Sequence, residues 1–480
     1  MSRQRILVVT DDAVGERMAG PAIRAWNIAA VLTPEHDVCL ASTLRAPDLG
    51  PDAAGAAGFE VRDGSGERLR ALAAGRDVLV LQGFTLRSHP WLAGLGAHVV
   101  VDLYDPIHLE MLEGGADATP AQQTFMLSGG LDALRIQMER GDFFLCASER
   151  QRDLWLGHLS ALGRVNFAAY RQDVTLRKLI DVAPFGVPDD PAPRRAVPGP
   201  LRGGLPGVGA EDRVLLWAGG VYNWFDPVTL VDAVGDLTTG PDALTDVRLV
   251  FMGTKHPSVE DLSTVVLRQA VDRAAERGLL DRVVFFREGW VPYAERGRFL
   301  ADADIGVSTH FLHVETAYSF RTRMLDYLWA GLPIVCSDGD EFARLVAARD
   351  LGAVVPTEDR AALAVVLRGL LVDPAARARA AARVRAVAPE YHWSVVLAPL
   401  VAYCRDPWRA ADGGAHRRPA GRFGAFGARL DTRIDHLKIY ADPAARRRLF
   451  VDGRWKVILR RELGKVGAAL TRPLRRPSRR

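Results

Sequence analysis

Two arginines and an aspartate stand close together in the segment "SFRTRMLDYLWAGLPIV" (319–335). Arg321, Arg323 and Asp326 lie on a short helical stretch that leads directly into an apolar strand. Arginine binds phosphate oxygens well because its guanidinium group offers two parallel N–H donors. Alternatively, Arg323 and Asp326 form an ordinary intrahelical ion pair, since they are three residues apart. These residues alone predict either an anion site or a charged helix surface.

A glycine and a proline begin the helix that follows the first strand. The strand "RILVVT" (5–10) is followed by "DDAVGERMAGPAIRAW" (11–26), in which Gly20 precedes Pro21. Such a helix start leaves backbone N–H groups exposed, and these groups can donate hydrogen bonds to a phosphate. An ordinary helix start without a ligand is the alternative. Gly20 is therefore a candidate binding residue.

Polar residues also follow the apolar run at 98–104. The segment "DLYDPIHLEMLE" (102–113) places Asp105 and His108 where a strand ends and a helix begins. Both are candidate catalytic residues, because ligands of α/β proteins bind beyond the carboxyl ends of strands. The alternatives are that Asp105 only caps the helix and that His108 is an ordinary surface histidine.

Three segments of the second half run from an apolar strand into a turn. They are "WAGGVYNW" (217–224), "FMGTKHPS" (251–258) and "REGWVPY" (287–293). Their glycines and backbone amides could approach a ligand, and an aromatic residue could stack on a planar base, although a core tryptophan is the alternative. The candidate binding residues are Gly219, Gly220, Lys255, Trp290 and Val291.

Short apolar runs that alternate with helical stretches must position these residues. The first half contains such runs at 5–10, 36–42, 77–82, 98–104 and 143–148. The second half contains them at 213–220, 247–253, 282–289, 303–309 and 332–338. Apolar strands separated by helices indicate parallel sheets that are covered on both faces. Two such series predict two doubly wound α/β domains facing one cleft.

Composition and cysteine placement limit the class of protein. The chain has 480 residues, 48% hydrophobic and 25% charged, which is typical of a soluble protein of two or three domains. No run of eighteen apolar residues occurs, and Asp11 comes too early for a signal peptide. The four cysteines lack the spacing of metal ligands or of a disulfide framework. We therefore expect a cytoplasmic protein with reduced, buried thiols.

The order of features resembles glycosyltransferase family 4 (group 1 type), whose members are retaining enzymes with the GT-B fold. The resemblance extends over about residues 5–405, and its most diagnostic block is an acidic residue followed by "xxxAGxP", which begins here at Asp326. The segment "APEYHWSVVLAPLVAYC" (388–404) looks like the family's last helix, which returns to the first domain. The Pro- and Gly-rich stretch at 184–212 separates the two domains. The implied division is a Rossmann-like acceptor-side domain (1–185), a linker (186–212), a Rossmann-like nucleotide-sugar domain (213–390), a returning helix (391–411) and a basic extension (412–480).

The resemblance assigns roles to two acidic residues. In the family, the acidic residue of the block accepts hydrogen bonds from the ribose of the nucleotide-sugar, which implies this role for Asp326. The family also has a glutamate eight residues earlier that contacts the donor sugar. That spacing falls on Tyr318 here, so we assign the sugar contact to Glu315, three residues further back.

Two departures from the family pattern affect the expected chemistry. The family commonly has Arg and Lys after the first strand of the second domain, but "GGVYNWFDP" (219–227) contains neither. We therefore expect Arg321 and Arg323 to face the diphosphate instead. The family's frequent histidine after the strand at 98–104 is replaced by Tyr104, which Asp105 follows. The group that receives the acceptor's proton is left open.

The resemblance implies transfer of a sugar, with retention, from a UDP- or GDP-linked donor to a sugar, lipid-linked sugar or small-molecule acceptor in polysaccharide or glycolipid synthesis. We expect no required cofactor or metal, because arginines and helix starts can stabilise a diphosphate. The Asp-x-Asp triplets at 302–304 and 338–340 are interpreted as a strand start and a helix-start loop. An inactive, glycosyltransferase-like binding subunit is the alternative. A dinucleotide-dependent oxidoreductase is disfavoured, because no GxGxxG follows the first strand.

The end of the chain is a separate basic region. Residues 416–480 contain 19 Lys and Arg against 5 Asp and Glu, whereas residues 1–415 contain 43 against 53. Apolar residues interleave with the basic ones over 454–470 in a pattern typical of a membrane-surface helix. A disordered tail and an arm packed on the acidic core are the alternatives. Docking would place the protein at the inner face of the membrane, and no specific nucleic-acid partner is expected.

Overall fold

The computed structural model describes residues 3–412 except for residues 17, 46, 48–57, 254–263, 288 and 290. The strands in this part of the chain are β1 (Arg5–Thr10), β2 (Asp37–Ser42), β3 (Glu60–Asp63), β4 (Val78–Gln82), β5 (His98–Asp102), β6 (Phe143–Cys146), β7 (Ile180–Val182), β8 (Arg213–Ala218), β9 (Val247–Met252), β10 (Val284–Arg287), β11 (Ile305–Ser308), β12 (Ile334–Ser337) and β13 (Gly352–Val355).

The α-helices are α1 (Gly20–Leu32), α2 (Arg68–Ala73), α3 (Thr85–Ser88), α4 (Ile107–Gly114), α5 (Pro120–Arg140), α6 (Glu149–Ala161), α7 (Phe167–Gln172), α8 (Pro227–Thr238), α9 (Val265–Glu276), α10 (Arg296–Ala301), α11 (Val314–Tyr318), α12 (Thr322–Ala330), α13 (Glu341–Arg349), α14 (Arg360–Val372), α15 (Pro374–Val387), α16 (Trp393–Val396) and α17 (Ala398–Arg405). Short 3₁₀ helices cover Pro90–Gly94 and Ala388–Tyr391.

The strands form two parallel sheets. The first has the order β3-β2-β1-β4-β5-β6-β7, and the second has the order β10-β9-β8-β11-β12-β13. In each sheet the first strand of the series is the third in order, and the strand order reverses there, which is the doubly wound arrangement. The two doubly wound α/β domains predicted from the sequence are confirmed.

Each sheet is buried on both faces. In β1, Ile6 and Val8 pack into one core cluster, while Leu7 and Val9 pack into another on the opposite face. Successive side chains of a strand point to opposite faces, so a strand that is apolar throughout needs cover on both sides. Val214 of β8 belongs to the same cluster as Ile6 and Val8. One apolar core therefore runs from the first domain into the second.

Buried carboxylates fasten the linker to the second domain. Asp302 is fully buried and accepts hydrogen bonds from the backbone N–H groups of Leu201 and Arg202 at 2.9 and 2.8 Å. Asp304 forms an ion pair with Arg202 and accepts a hydrogen bond from the Val214 N–H at 2.8 Å. The first Asp-x-Asp triplet therefore serves the protein's own structure.

The chain crosses between the domains twice, and the crossings lie side by side. Val187 in the first crossing and His392 in the second form a parallel β-bridge. Helices α16 and α17 then return to the first domain, where the fully buried ring of Tyr403 stacks on Phe143 with 4.8 Å between the ring centroids. The end of the described chain thus completes the core of the first domain.

Some predictions concern residues that the structure does not describe. Lys255, Trp290 and, apart from Asp412, the basic extension (412–480) lie outside the described residues. Within the described part, no helix combines the length and the apolar character needed to cross a membrane. All four cysteines are buried and free, as the sequence suggested.

Candidate functional site

A cavity of about 450 Å³ lies between the two domains. Its walls include residues that directly follow β5, β8 and β9, so it opens at the carboxyl ends of both sheets. This is the position at which doubly wound α/β proteins bind their ligands. The polar groups that the two domains direct into the cavity define the candidate site.

Helix α1 begins at this cavity. Gly20 and Pro21 line the cavity and form the start of the helix, and Ala19 before them makes no side-chain hydrogen bond to the first turn. The first N–H groups of α1 therefore remain available to an anion. A Cβ atom added to Gly20 would meet no atom within 4 Å, so protein packing does not require glycine there. The glycine instead keeps the helix start open to the cavity.

The turn after β8 consists of two glycines that line the opposite wall. Gly219 has a φ of +114°, a conformation that glycine adopts without strain and other residues rarely adopt. A Cβ atom on Gly220 would lie 2.8 Å from the Tyr222 ring, so a larger residue would displace that ring. The turn therefore allows a ligand to approach the backbone closely.

Arg323 lies in the cavity wall with no carboxylate within ion-pair distance among the described residues. Its guanidinium carbon is 4.2 Å from the ring centroid of Trp217 and 4.0 Å from that of Phe225. The side chain donates a hydrogen bond to the Gly220 carbonyl, but its Nη1 atom is buried without a partner. Burial lowers the pKa of Arg323 to about 10. A buried cation in this state would gain from an anionic ligand.

Arg321, in contrast, is already paired. Both of its Nη atoms donate hydrogen bonds to the carboxylate of Glu315, at 2.7 and 2.6 Å, and both residues are buried. Asp340 lies 3.9 Å from the Nε of Arg321 and also caps α13 through a hydrogen bond from the Ala343 N–H. Arg321 and Glu315 therefore neutralise each other and join α11 to the start of α12. In this structure neither has its charge free for the diphosphate or sugar contact that the sequence assigned to it.

Asp326 lines the cavity one turn further along α12. Its carboxylate accepts a hydrogen bond from the Nε of Arg296 at 3.0 Å, and the Arg296 guanidinium lies 3.6 Å from the ring centroid of Tyr293. Asp326 and Arg323 form no ion pair with each other, so the intrahelical pair considered above is absent. The Asp326 side chain is 26% exposed, which leaves it accessible to hydroxyl groups of a ligand.

Two carboxyl groups reach the cavity from the first domain. Asp105 follows β5, and Glu110 lies on the first turn of α4. The two are hydrogen-bonded; burial raises the pKa of Asp105 to about 6 and raises the pKa of Glu110 well above its ordinary value. Both shifts favour the protonated carboxyl form, so the surroundings favour a proton shared between the two groups. The sequence reasoning missed Glu110, although a helix that begins after Pro106 places it on the first turn.

His108 does not face the cavity. Its ring centroid lies 5.7 Å from that of Trp155 and 5.4 Å from that of His158, on the core side of α4. Burial, together with the neighbouring His158, lowers the pKa of His108 to about 4. Tyr104 does line the cavity, and the guanidinium carbon of Arg24 lies 4.9 Å from its ring centroid. The structure thus brings Asp105, but not His108, to the candidate site.

Further residues complete the walls of the cavity. Val291 lines it, next to Tyr293 and Arg296, which the sequence did not reveal. Arg296 lies thirty residues before its partner Asp326, and no local spacing points to such a pair.

In the part of the chain that the structure describes, no group of three or more His, Cys, Asp or Glu is placed to hold a metal ion.

Comparison with known proteins agrees with this architecture. Residues 212–373 match the family model described as "Glycosyl transferases group 1". Over 113 residues the chain is 33% identical to a phosphatidyl-myo-inositol mannosyltransferase of Mycolicibacterium smegmatis, an alignment that covers 24% of this chain and 28% of that relative. The alignment thus spans less than a third of that relative's length.

Two solved structures are similar over most of the chain. Sucrose-phosphate synthase from Thermosynechococcus elongatus has a TM-score of 0.60 at 16% identity, covering 84% of this chain and 98% of its own. HepE from Anabaena, solved with UDP and glucose, has a TM-score of 0.58 at 15% identity, covering 85% of this chain and 100% of its own. At these identities the likeness establishes the fold. The chain therefore has the two-domain GT-B fold, and residues 212–373 of its second domain are similar to the group 1 glycosyl transferases.

Proposed function

We propose that this protein transfers a sugar from a nucleotide-diphosphate sugar to a hydroxyl group of an acceptor, with retention at the anomeric carbon. The observation that carries the proposal is Arg323, a buried cation in the cavity wall with an unpartnered Nη1 atom. The diphosphate of a donor would supply the anion that Arg323 lacks. The family match, and the UDP and glucose bound to HepE, support a nucleotide-sugar as the ligand.

The donor would span the second-domain side of the cavity. In this proposal its diphosphate lies between Arg323, the Gly219–Gly220 turn and the first N–H groups of α12, with the start of α1 across the cavity. Its ribose hydroxyls donate hydrogen bonds to Asp326, and its base, uracil or guanine, packs along Val291. This places the anionic part of the donor beside the positive ends of two helices and a fixed arginine.

The same groups would promote the reaction. When the bond between the anomeric carbon and the diphosphate breaks, negative charge grows on the departing oxygen. Arg323 is held by two aromatic rings and carries no protein counterion within ion-pair distance among the described residues, so its attraction for this charge is not shared. The acceptor arrives on the side from which the diphosphate leaves. The Arg321–Glu315 pair contributes indirectly, because it fixes the start of α12, on which Arg323 lies.

A binding subunit without turnover is the second candidate. Arg321 is bonded to Glu315, and the family's usual basic residues are absent from the segment after β8, so a single cation of the described site would face the diphosphate. Such a subunit would bind the donor but would not release nucleoside diphosphate. A donor-hydrolysis assay without acceptor separates the two candidates.

We further propose an acceptor in cell-surface polysaccharide or glycolipid synthesis. One relative is named as a mannosyltransferase of a phosphatidylinositol lipid, which supports this class of acceptor. The basic residues of 416–480 would hold the protein at the inner face of the membrane, where a lipid-linked acceptor is reached.

The proposal is tested first by binding. A panel of UDP- and GDP-linked hexoses is screened for a rise in melting temperature, which follows when a ligand binds only the folded protein. The same panel is applied to Arg323→Gln and to the control Arg344→Gln, an exposed arginine on α13 that pairs with Glu341. We expect at least one donor to stabilise the wild type and the control, and the response of Arg323→Gln to be much smaller. If no donor stabilises the wild type, the proposal is wrong.

A further inference from the structure

We propose that Asp105 and Glu110 form a proton-accepting pair that takes up the proton of the attacking hydroxyl group. This inference rests on the proposed function and names a role for two first-domain residues within it. Both side chains line the same cavity as Arg323, whose buried and unpartnered Nη1 atom independently marks this cavity as a ligand site. The donor-binding groups lie in the second domain, so the pair occupies the wall from which an acceptor would approach.

The surroundings of the pair explain why it shares a proton. The charged or titratable groups that act on it or respond to it are Asp102, Tyr104, Tyr222, Glu315 and Arg321, and Arg24 acts in turn on Tyr104. The two arginines of this set are already engaged. Arg24 donates to Asp102 at 2.6 and 2.8 Å, and Arg321 donates to Glu315 at 2.7 and 2.6 Å.

No arginine therefore neutralises the pair directly among the described residues. Two half-buried carboxylates side by side would repel each other, so one proton remains between them. In the proposed pair Glu110 carries this proton, and the carboxylate of Asp105, which lines the cavity, accepts the proton of the acceptor. A carboxylate whose pKa is raised towards neutrality is a better proton acceptor than an ordinary aspartate, while it is still ionised at pH 7.

The proposed step is balanced as follows. The acceptor oxygen forms a bond to the anomeric carbon, and the bond from that carbon to the diphosphate breaks. The electron pair of the broken bond stays on the nucleoside diphosphate. The hydroxyl proton moves to Asp105, which afterwards releases it to solvent. With water as the acceptor, the same step gives the free sugar.

The test separates proton transfer from all other roles by changing the nucleophile. Azide attacks the anomeric carbon without releasing a proton, so it needs no proton acceptor. With the best donor of the panel, we expect Asp105→Asn to hydrolyse donor at least 100-fold more slowly than the wild type. Formation of glycosyl azide by Asp105→Asn, measured in the presence of sodium azide, should stay within a few-fold of the wild-type rate. Loss of both reactions to the same extent would show that Asp105 has only a structural role.

Two further variants complete the design. Glu113→Gln is the matched control, because Glu113 lies on the same helix, is 30% exposed and does not line the cavity. It should leave both reactions unchanged. Glu110→Gln should shift the acidic limb of the hydrolysis–pH profile, which we expect near pH 6 in the wild type because the reaction needs an ionised Asp105. An unshifted limb in this variant would overturn the sharing of the proton.

The outcomes also distinguish this inference from the function on which it rests. If the wild type binds a donor but releases no nucleoside diphosphate with water or azide, the proposed function itself is wrong and the binding-subunit alternative holds. If the wild type is active and Asp105→Asn hydrolyses donor at the wild-type rate, only the proton-accepting pair is wrong.

Discussion

Replacing Arg323 by glutamine should raise the stability of the empty protein while it weakens the bound state. The side chain is buried against two aromatic rings and carries a charge that no described carboxylate neutralises by an ion pair. Glutamine keeps a hydrogen-bond donor for the Gly220 carbonyl but removes the charge. When a residue serves a ligand more than it serves the fold, its replacement raises the free energy of unfolding and lowers the affinity for the ligand.

The magnitudes follow from the structure. Burial lowers the pKa of Arg323 from 12.5 to about 10, and at about 1.4 kcal/mol per pKa unit this costs on the order of 3 kcal/mol at neutral pH. Contact with the two rings offsets about 2 kcal/mol of that cost. The variant should therefore be about 1 kcal/mol more stable. Loss of a charge-assisted hydrogen bond should weaken donor binding by roughly 1.5–3 kcal/mol, and the rate should fall by about 10²–10³.

Two measurements on the same variant check this reasoning. Urea unfolding without ligand gives the free energy of unfolding, and calorimetric titration with the best donor gives the affinity. The exposed Arg344→Gln variant is the control for a loss of positive charge. A less stable Arg323→Gln protein that binds and turns over donor like the wild type would refute the assignment, because the guanidinium would then serve only the fold.

Three further predictions concern neighbouring groups and the tail. Asp326→Ala should weaken donor binding by roughly 1.5–3 kcal/mol and Asp326→Glu far less. If titration shows equal, small losses of donor affinity in both variants, Asp326 serves only to bind Arg296. Arg321→Gln should destabilise the protein by about 3–5 kcal/mol, because Glu315 is left buried without a partner. Adding Glu315→Gln should restore much of that stability, and simple additivity in urea unfolding would contradict the pairing. The full chain should sediment with anionic vesicles at low salt, whereas residues 1–415 should stay in solution and still bind donor; equal sedimentation would remove the tail as an anchor.

Most of the strands could be predicted because they are buried on both faces and therefore apolar throughout. The three that were missed lack this property for separate reasons. Strand β3 (Glu60–Asp63) lies at the edge of its sheet and alternates exposed with half-buried residues. Strand β7 (Ile180–Val182) has only three residues, and β13 (Gly352–Val355) is a short edge strand that begins with glycine. Edge position and short length remove the continuous apolar run on which the prediction depends.

The positions of the site residues were easier to predict than their partners. Asp105 and Gly219 follow strands, Arg323 lies at the start of α12 with Asp326 one turn further along, and the fold brings these positions to one cavity. The partner of Asp326, however, is an arginine thirty residues away. Pairing between charged groups depends on angles between elements that local spacing does not contain, so the i,i+3 alternative considered for Arg323 and Asp326 does not occur.

The return of the chain to the first domain has a consequence for the order of folding. Arg405 binds Glu35 across 370 positions of sequence, and Arg409 reaches the carbonyl of Ala97 across 312. The core around Tyr403 therefore cannot close until the ribosome has made nearly all of the described chain, on the order of tens of seconds after the first domain's strands emerge. The second domain is continuous in sequence and can fold during that interval. The second domain can therefore be complete before the first domain. Until the last described helices are made, the first domain's strands keep part of their apolar surface uncovered.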